Sequence, residues 1–238
     1  MILVHTVIRK FRSIYILLIS TTDMDIQIFR DPVYHLMIED FFPIETNKHI
    51  LKEAKKNEQS FQESITMGGK NPEMRTNIVC YYDEIYKEHR EKSVLLTQFT
   101  KFFLHNKPFR EILESSPYPF RRFTQTDHDE TQVSRYGRNQ EYKWHIDSGS
   151  INERLVTVIY YFNTEPQQWT GGDLSISNSP IFNGGLMEKN PKIKTIKPKN
   201  NLLLVISAFT PHRVKPTISP ANFIDGRFSV NCWVGFKR

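Results

Sequence analysis

His145 and Asp147 stand two positions apart in Tyr142-Lys143-Trp144-His145-Ile146-Asp147. Along an extended strand, residues two apart point to the same face, so this spacing aims an imidazole and a carboxylate at one point. A second imidazole, His212, lies in Thr210-Pro211-His212-Arg213-Val214, directly after an apolar segment. Two imidazoles and one carboxylate form the ligand set that holds non-haem Fe(II) on one side and leaves the other positions open for co-substrate and oxygen. A His-x-Asp pair alone has a plainer reading as a polar surface turn. Against that reading, the pair sits just before a strand that reads as buried, and His212 follows another.

Arg227 opens the last strand-like segment, and Ser229 shares its face at the two-residue period. An iron site of this kind commonly uses a keto acid whose far carboxylate must be held away from the metal. A guanidinium fork binds such a carboxylate through two parallel, charge-assisted hydrogen bonds, and the Ser229 hydroxyl can donate another. Asn231 and Trp233 continue along the same face. The structural alternative for Arg227 is an ion pair with Glu153 or Asp173 at the rim of a barrel.

The elements that must position these groups follow from periodicity. Residues 35–43 read as a strand entering a loop, and residues 46–56 have helical spacing, with Ile50, Leu51 and Ala54 on one side. Residues 82–106 read as one main helix whose stripe is Leu95, Phe99, Phe102 and Phe103, and a shorter helix is expected over 109–115. After Tyr118 the character changes to short β segments: 121–125, 131–136, 142–147, 155–162, 173–176, 192–197, 201–207 and 227–234. The runs 155–162 and 201–207 are nearly all apolar, as expected of strands buried on both faces. Gly171-Gly172 and Asn183-Gly184-Gly185 mark turns. This pattern predicts a mainly β protein with packing helices, a jelly roll or related double-sheet barrel with the earlier helices on its outer face. One domain over 31–238 is expected, preceded by an extension over 1–30.

Composition sets the frame. The chain has 238 residues, 39% hydrophobic and 13% aromatic, which suits a single β-rich core. A net charge of +6 is compatible with anionic partners but equally with ordinary solubility. Cys80 and Cys232 form neither a zinc spacing nor a disulfide framework, so a reducing, cytoplasmic setting is the default. No run is long enough to span a bilayer, and no membrane association is expected. Arg9, Lys10 and Arg12 before residues 14–19 loosely imitate a signal peptide, but the apolar run is short and no clean cleavage site follows. An extra strand or an irregular extension is the favoured reading of that stretch. His128 in Thr126-Asp127-His128-Asp129-Glu130 reads as part of a solvated acidic loop, and His49, His89 and His105 show no ligand pairing.

Taken together, His145-x-Asp147, the distant His212 and Arg227 resemble the iron- and 2-oxoglutarate-dependent dioxygenases, in their prolyl-hydroxylase-like branch. Val158-Ile159-Tyr160-Tyr161-Phe162-Asn163, Gly171-Gly172-Asp173-Leu174, Pro211-His212-Arg213-Val214-Lys215-Pro216 and Arg227-x-Ser229-Val230-x-x-Trp233 carry the resemblance further. It implies a double-stranded β-helix and a metal site of His145, Asp147 and His212. It also implies Fe(II), 2-oxoglutarate and O2 as reactants, with room for ascorbate. Arg227 and Ser229 would hold the keto acid, with Tyr136 and Tyr161 as phenols near it; core packing is the alternative for both tyrosines. The resemblance further implies a hydroxylase acting on a prolyl residue of a protein or peptide. A nucleic-acid demethylase of the same superfamily is the second reading, although Trp233 stands where repair demethylases carry another arginine. A non-catalytic metal- or ligand-binding barrel is the third. Some collagen-type relatives have lysine where Arg227 stands, and residues 218–223 form an insertion that leaves the substrate open.

Overall fold

The computed structural model describes residues 5–11, 14–21, 24–66, 69–149 and 153–237. Two antiparallel sheets face each other. Among the described residues the larger has ten strands, in the spatial order 5–11, 14–21, 24–29, 35–38, 202–207, 153–162, 227–236, 128–136, 78–81 and 62–63. The smaller has four, in the order 193–196, 174–177, 212–214 and 142–145.

The period of two decides what lies between the sheets. Ile159 and Tyr161 on one strand, Leu202, Leu204 and Ile206 on the next, and Tyr136 beyond face Leu174, Ile176, Ile196 and Val214 of the smaller sheet. This is the barrel interior. The alternate residues, Val158, Tyr160, Phe162, Leu203 and Val205, pack on the other side against Ile50 and Ala54 of the Ile44–Lys56 helix and Leu95 and Phe99 of the Val94–His105 helix. Strands 153–162 and 202–207 are therefore buried on both faces, which explains why they read as continuous apolar runs. Tyr160 takes the helical side as its parity requires, and its hydroxyl accepts a hydrogen bond from Asn47 at 2.7 Å. The expected jelly roll with helices on its outer face is the observed architecture.

Segment 1–30 supplies strands to one edge of the larger sheet. Met24–Phe29 pairs with His35–Ile38, and Ile26 and Ile28 join the main core. Cys80 and Cys232 are both buried and unpaired.

Three local expectations need correction. The helix read over 82–106 is interrupted: Tyr82–Ile85 is a single turn, Arg90–Lys92 is a 3-10 turn, and the long helix starts at Val94. Residues 87–92 offer no apolar face, and the Ser93 hydroxyl caps the new helix by accepting from the Leu96 N–H at 3.1 Å. Residues 121–125 belong to a 3-10 helix, Phe120–Gln125, rather than a strand. Its two buried residues, Phe120 and Phe123, are three apart, the period of that helix and not of a sheet. Finally, His128 to Glu130 open the His128–Tyr136 strand instead of lying in a loop.

Candidate metal and keto-acid site

The three predicted ligands converge. His145 and His212 are directly paired across neighbouring strands of the smaller sheet, so both imidazoles leave the same face. Their ring centroids are 4.0 Å apart. Asp147 lies beyond the Tyr142–His145 strand, not within it. Strand parity therefore does not place its carboxylate. Instead its N–H donates to the Ala208 carbonyl at 2.9 Å, which ties it to the turn that leads into His212. Asp147 Oδ1 is 3.8 Å from His145 Nε2, and Oδ2 is 3.5 Å from His212 Nε2. One ligand atom from each of the three lies within 4.8 Å of the others, the sole such cluster of His, Cys, Asp or Glu among the described residues.

Each imidazole is held in the orientation that a metal needs. His145 Nδ1 donates to the Lys143 carbonyl and His212 Nδ1 to the Thr210 carbonyl, both at 2.8 Å. With the proton on Nδ1, each Nε2 presents a lone pair to the centre. Burial, reinforced by the neighbouring His212, pushes His145 well below the ordinary histidine range and keeps it neutral. Burial alone would raise the Asp147 carboxyl. The facing His212 and His145 and the Thr157 hydroxyl, which donates to Oδ2 at 2.7 Å, outweigh it and hold the group below the usual carboxylate range. Trp233 Nε1 makes no full hydrogen bond, yet its indole is near enough to favour the ionised carboxylate. Two imidazoles and one carboxylate, all buried, are a donor set of the right chemistry for a divalent iron. Thr157→Val should leave Asp147 without its hydroxyl donor. Metal affinity should fall about 10–100-fold, the usual cost of losing an outer partner, as read by Mn(II) titration.

Arg227 is buried, at 1% exposure. The rim ion pairs are not formed: among the described residues it makes no salt bridge, with Glu153, Asp173 or any other carboxylate. Its Nε donates to the Gly172 carbonyl at 2.9 Å and its Nη1 to Ser229 Oγ at 3.2 Å. Tyr136 and Tyr161 flank the guanidinium, with ring centroids 4.8 and 5.0 Å from its central carbon. Arg227 is paired with Tyr136, and Ser229 with Tyr161, so four residues on three adjacent strands line one inward patch. Tyr161 Oη is buried with no hydrogen-bond partner, and burial pushes the phenol up to about 12 despite the nearby Arg227. An unpaired buried cation beside an unused donor is costly unless an anion enters. The patch thus fits the distal carboxylate of a keto acid.

Gly172 makes room for this arrangement. Its φ is +63°, and a Cβ there would meet Arg227 Cδ at 2.8 Å and Thr217 Oγ1 at 2.9 Å. Gly172→Ala is expected to cost about 1–3 kcal/mol from backbone strain alone and to displace Arg227. Urea unfolding of the ligand-free protein would measure the loss.

Beside the metal cluster opens a cavity of about 370 Å³ that Asp147, Trp233, Tyr142 and Arg75 help to line. Arg75 went unnoticed in the sequence because it is isolated in a loop. It is buried, and it donates to Asn77 Oδ1 at 2.7 Å and Ser134 Oγ at 3.3 Å. Its guanidinium lies 4.6 Å from the centre of the Tyr142 ring, which in turn stacks on His145 at 3.4 Å. Also lining the cavity, Arg154 grips Glu130 with two hydrogen bonds, at 3.0 and 2.5 Å, and covers Trp233 at 4.0 Å. A four-residue spacing rule in a helix would reveal such partners, but here they come from separate strands, and no local signal links them. Among the described residues no helix is long and apolar enough to cross a membrane.

Residues 131–235 match the family model of the 2OG-Fe(II) oxygenase superfamily. An uncharacterised PKHD-type hydroxylase of the cyanobacterium Synechocystis is 32% identical over 111 residues, 45% of this chain. The matched stretch spans 36% of that relative's length. A Pseudomonas putida prolyl-4-hydroxylase superposes with a TM-score of 0.58 at 14% identity, covering 84% of this chain and 92% of the other. A Trichoplax adhaerens prolyl hydroxylase, solved with a hypoxia-inducible-factor peptide, gives 0.57 at 19% identity, covering 84% and 83%. Residues 131–235 are thus similar to the 2OG-Fe(II) oxygenase superfamily, and the chain has the fold seen in prolyl hydroxylases.

Proposed function

We propose that this protein is an Fe(II)- and 2-oxoglutarate-dependent dioxygenase that hydroxylates a prolyl residue of a protein or peptide. The observation that carries the reading is the buried cluster of His145, Asp147 and His212 together with a buried Arg227 that has no carboxylate partner among the described residues. His145, Asp147 and His212 would hold the metal, and Arg227 with Ser229 would hold the distal carboxylate of 2-oxoglutarate, with Tyr136 and Tyr161 as its walls. The bound iron and keto acid supply the oxidising power that inserts an oxygen atom of O2 into a C–H bond, with succinate and CO2 as co-products.

The chain's own residues do the rest. Lys143 and Thr210 carbonyls fix the imidazole tautomers. Thr157 keeps the carboxylate aligned and ionised. Trp233, Tyr142 and the Arg154–Glu130 pair shape a cavity able to admit a side chain next to the cluster. A peptide substrate is supported by the likeness to the Trichoplax enzyme, whose structure holds a peptide. Residues 31–238 would be the oxygenase domain, with 1–30 appended to its larger sheet, working in the cytoplasm. The nucleic-acid reading, a demethylase of the same superfamily, has only the net charge of +6 to favour it.

Anaerobic titration with Fe(II) and 2-oxoglutarate should produce a metal-to-ligand charge-transfer band. Oxygen exposure with a proline-containing peptide library should then yield succinate and a peptide heavier by one oxygen. A protein that binds neither metal nor keto acid would remove the proposal. Oligonucleotide binding that rises steeply at low salt would shift the substrate class.

A further inference from the structure

The His145 imidazole has a support that His212 lacks. The Tyr142 ring lies flat against it, with centroids 3.4 Å apart and planes 11° from parallel. Among the described residues His212 meets no aromatic ring other than that of His145, at a tilt of 55°. The hydrogen bond from His145 Nδ1 to the Lys143 carbonyl fixes one point of the ring but lets the ring tilt about it. A parallel ring at van der Waals distance removes that freedom.

Tyr142 is itself held by Arg75, whose guanidinium carbon lies 4.6 Å from the centre of the phenol ring. A gap of 3.4 Å leaves no room for a guanidinium between the two rings, so Arg75 meets Tyr142 away from the imidazole. Three backbone contacts bring it there. Arg75 bridges Tyr142, the Lys143 N–H donates to the Met74 carbonyl at 2.9 Å, and the Thr76 N–H donates to the Glu141 carbonyl at 3.1 Å. Asn77 Oδ1 and Ser134 Oγ then aim the side chain by accepting from it.

Stability is a poor account of a charge in this place. Arg75 is 6% exposed and makes no salt bridge among the described residues, and the acceptors that aim it are neutral. A desolvated guanidinium without an anion loses more in hydration than such bonds return. What a planar cation does supply is attraction for an aromatic face, strongest where water is excluded.

We infer that Arg75 is a positioning residue for the metal, pressing the Tyr142 ring flat against His145 and so fixing the direction from which His145 Nε2 meets the cation. The inference rests on the proposed metal site. It makes the stack of guanidinium, phenol and imidazole one unit that acts on the metal through its last member.

A double-mutant cycle on the full chain, read by Mn(II) titration, tests this. Tyr142→Leu removes the stacked ring and should weaken Mn(II) binding about tenfold, the low end for losing an outer partner. Arg75→Met should weaken it about fivefold, within the range of one desolvated cation–π contact. The double variant should bind no worse than Tyr142→Leu alone, because Arg75 has nothing to press once the ring is gone. Tyr142→Phe, which keeps the ring, should bind as wild type. In the Co(II)-loaded proteins the visible d–d bands should move in the same direction for Tyr142→Leu and Arg75→Met and stay in place for Tyr142→Phe. If Arg75→Met does not fold, Arg75→Lys, which keeps a cation but loses the planar fork, runs the same cycle with a smaller first step. Losses that multiply in the double variant, to about fiftyfold, would overturn the inference. So would an Arg75 variant with a lowered unfolding midpoint but wild-type Co(II) bands and Mn(II) affinity, which would mark a structural role. A wild-type protein that binds neither Mn(II) nor Co(II) would instead overturn the metal-site reading beneath it.

Discussion

Asp147→Ala is expected to lower metal affinity more than about 100-fold, beyond the 10–100-fold typical of losing an outer partner, and to reduce succinate formation to background. Asp147 is the only anion in the cluster, and imidazoles that bind a metal through Nε2 do so as neutral donors. Without the carboxylate, a divalent cation would be transferred from water to a buried site with no compensating charge, which is prohibitive. The fold should survive, because what ties residue 147 to the 207–210 turn is its backbone N–H, not its side chain. Mn(II) titration followed by circular dichroism separates the two effects. Succinate production at the wild-type rate would exclude Asp147 from the metal site.

Arg227→Met should produce the second large effect, on the keto acid rather than the metal. Two charge-assisted hydrogen bonds at about 1.5–3 kcal/mol each amount to a loss of about 100-fold or more in 2-oxoglutarate affinity. Mn(II) binding should be unchanged, since Arg227 touches none of the three metal-side residues. The stability of the ligand-free protein should move by no more than about 1 kcal/mol. Losing the bonds to Gly172 and Ser229 costs about 1 kcal/mol each, but removing a desolvated charge with no carboxylate partner offsets that cost. A variant that unfolds at much lower denaturant would mean that Arg227 is chiefly a structural strut.

These two side chains also show how differently sequence and tertiary structure contribute. Along single strands the period of two is dictated by backbone geometry. The sequence alone therefore placed Arg227 with Ser229 on one face, Tyr161 with Thr157 on another, and Tyr160 on the reverse side. The continuous apolar runs at 155–162 and 202–207 likewise announced doubly buried strands. The same local logic misread 82–106 and 121–125. There a serine cap and a spacing of three outweighed the hydrophobic pattern.

What the sequence by itself determined is which groups are the candidates for chemistry and, for those that lie on strands such as His145, Arg227 and Ser229, the face from which each projects, because both are local properties of the chain. Tertiary structure alone decided that they meet. Asp147 reaches the cluster through a backbone bond to a turn some sixty residues away in sequence. Arg75 enters the cavity wall by stacking on Tyr142, and Thr217 comes to lie beside Arg227 because Gly172 has no side chain to separate them. Such contacts join segments whose spacing along the chain carries no period. They arise only when both sheets close on a shared interior.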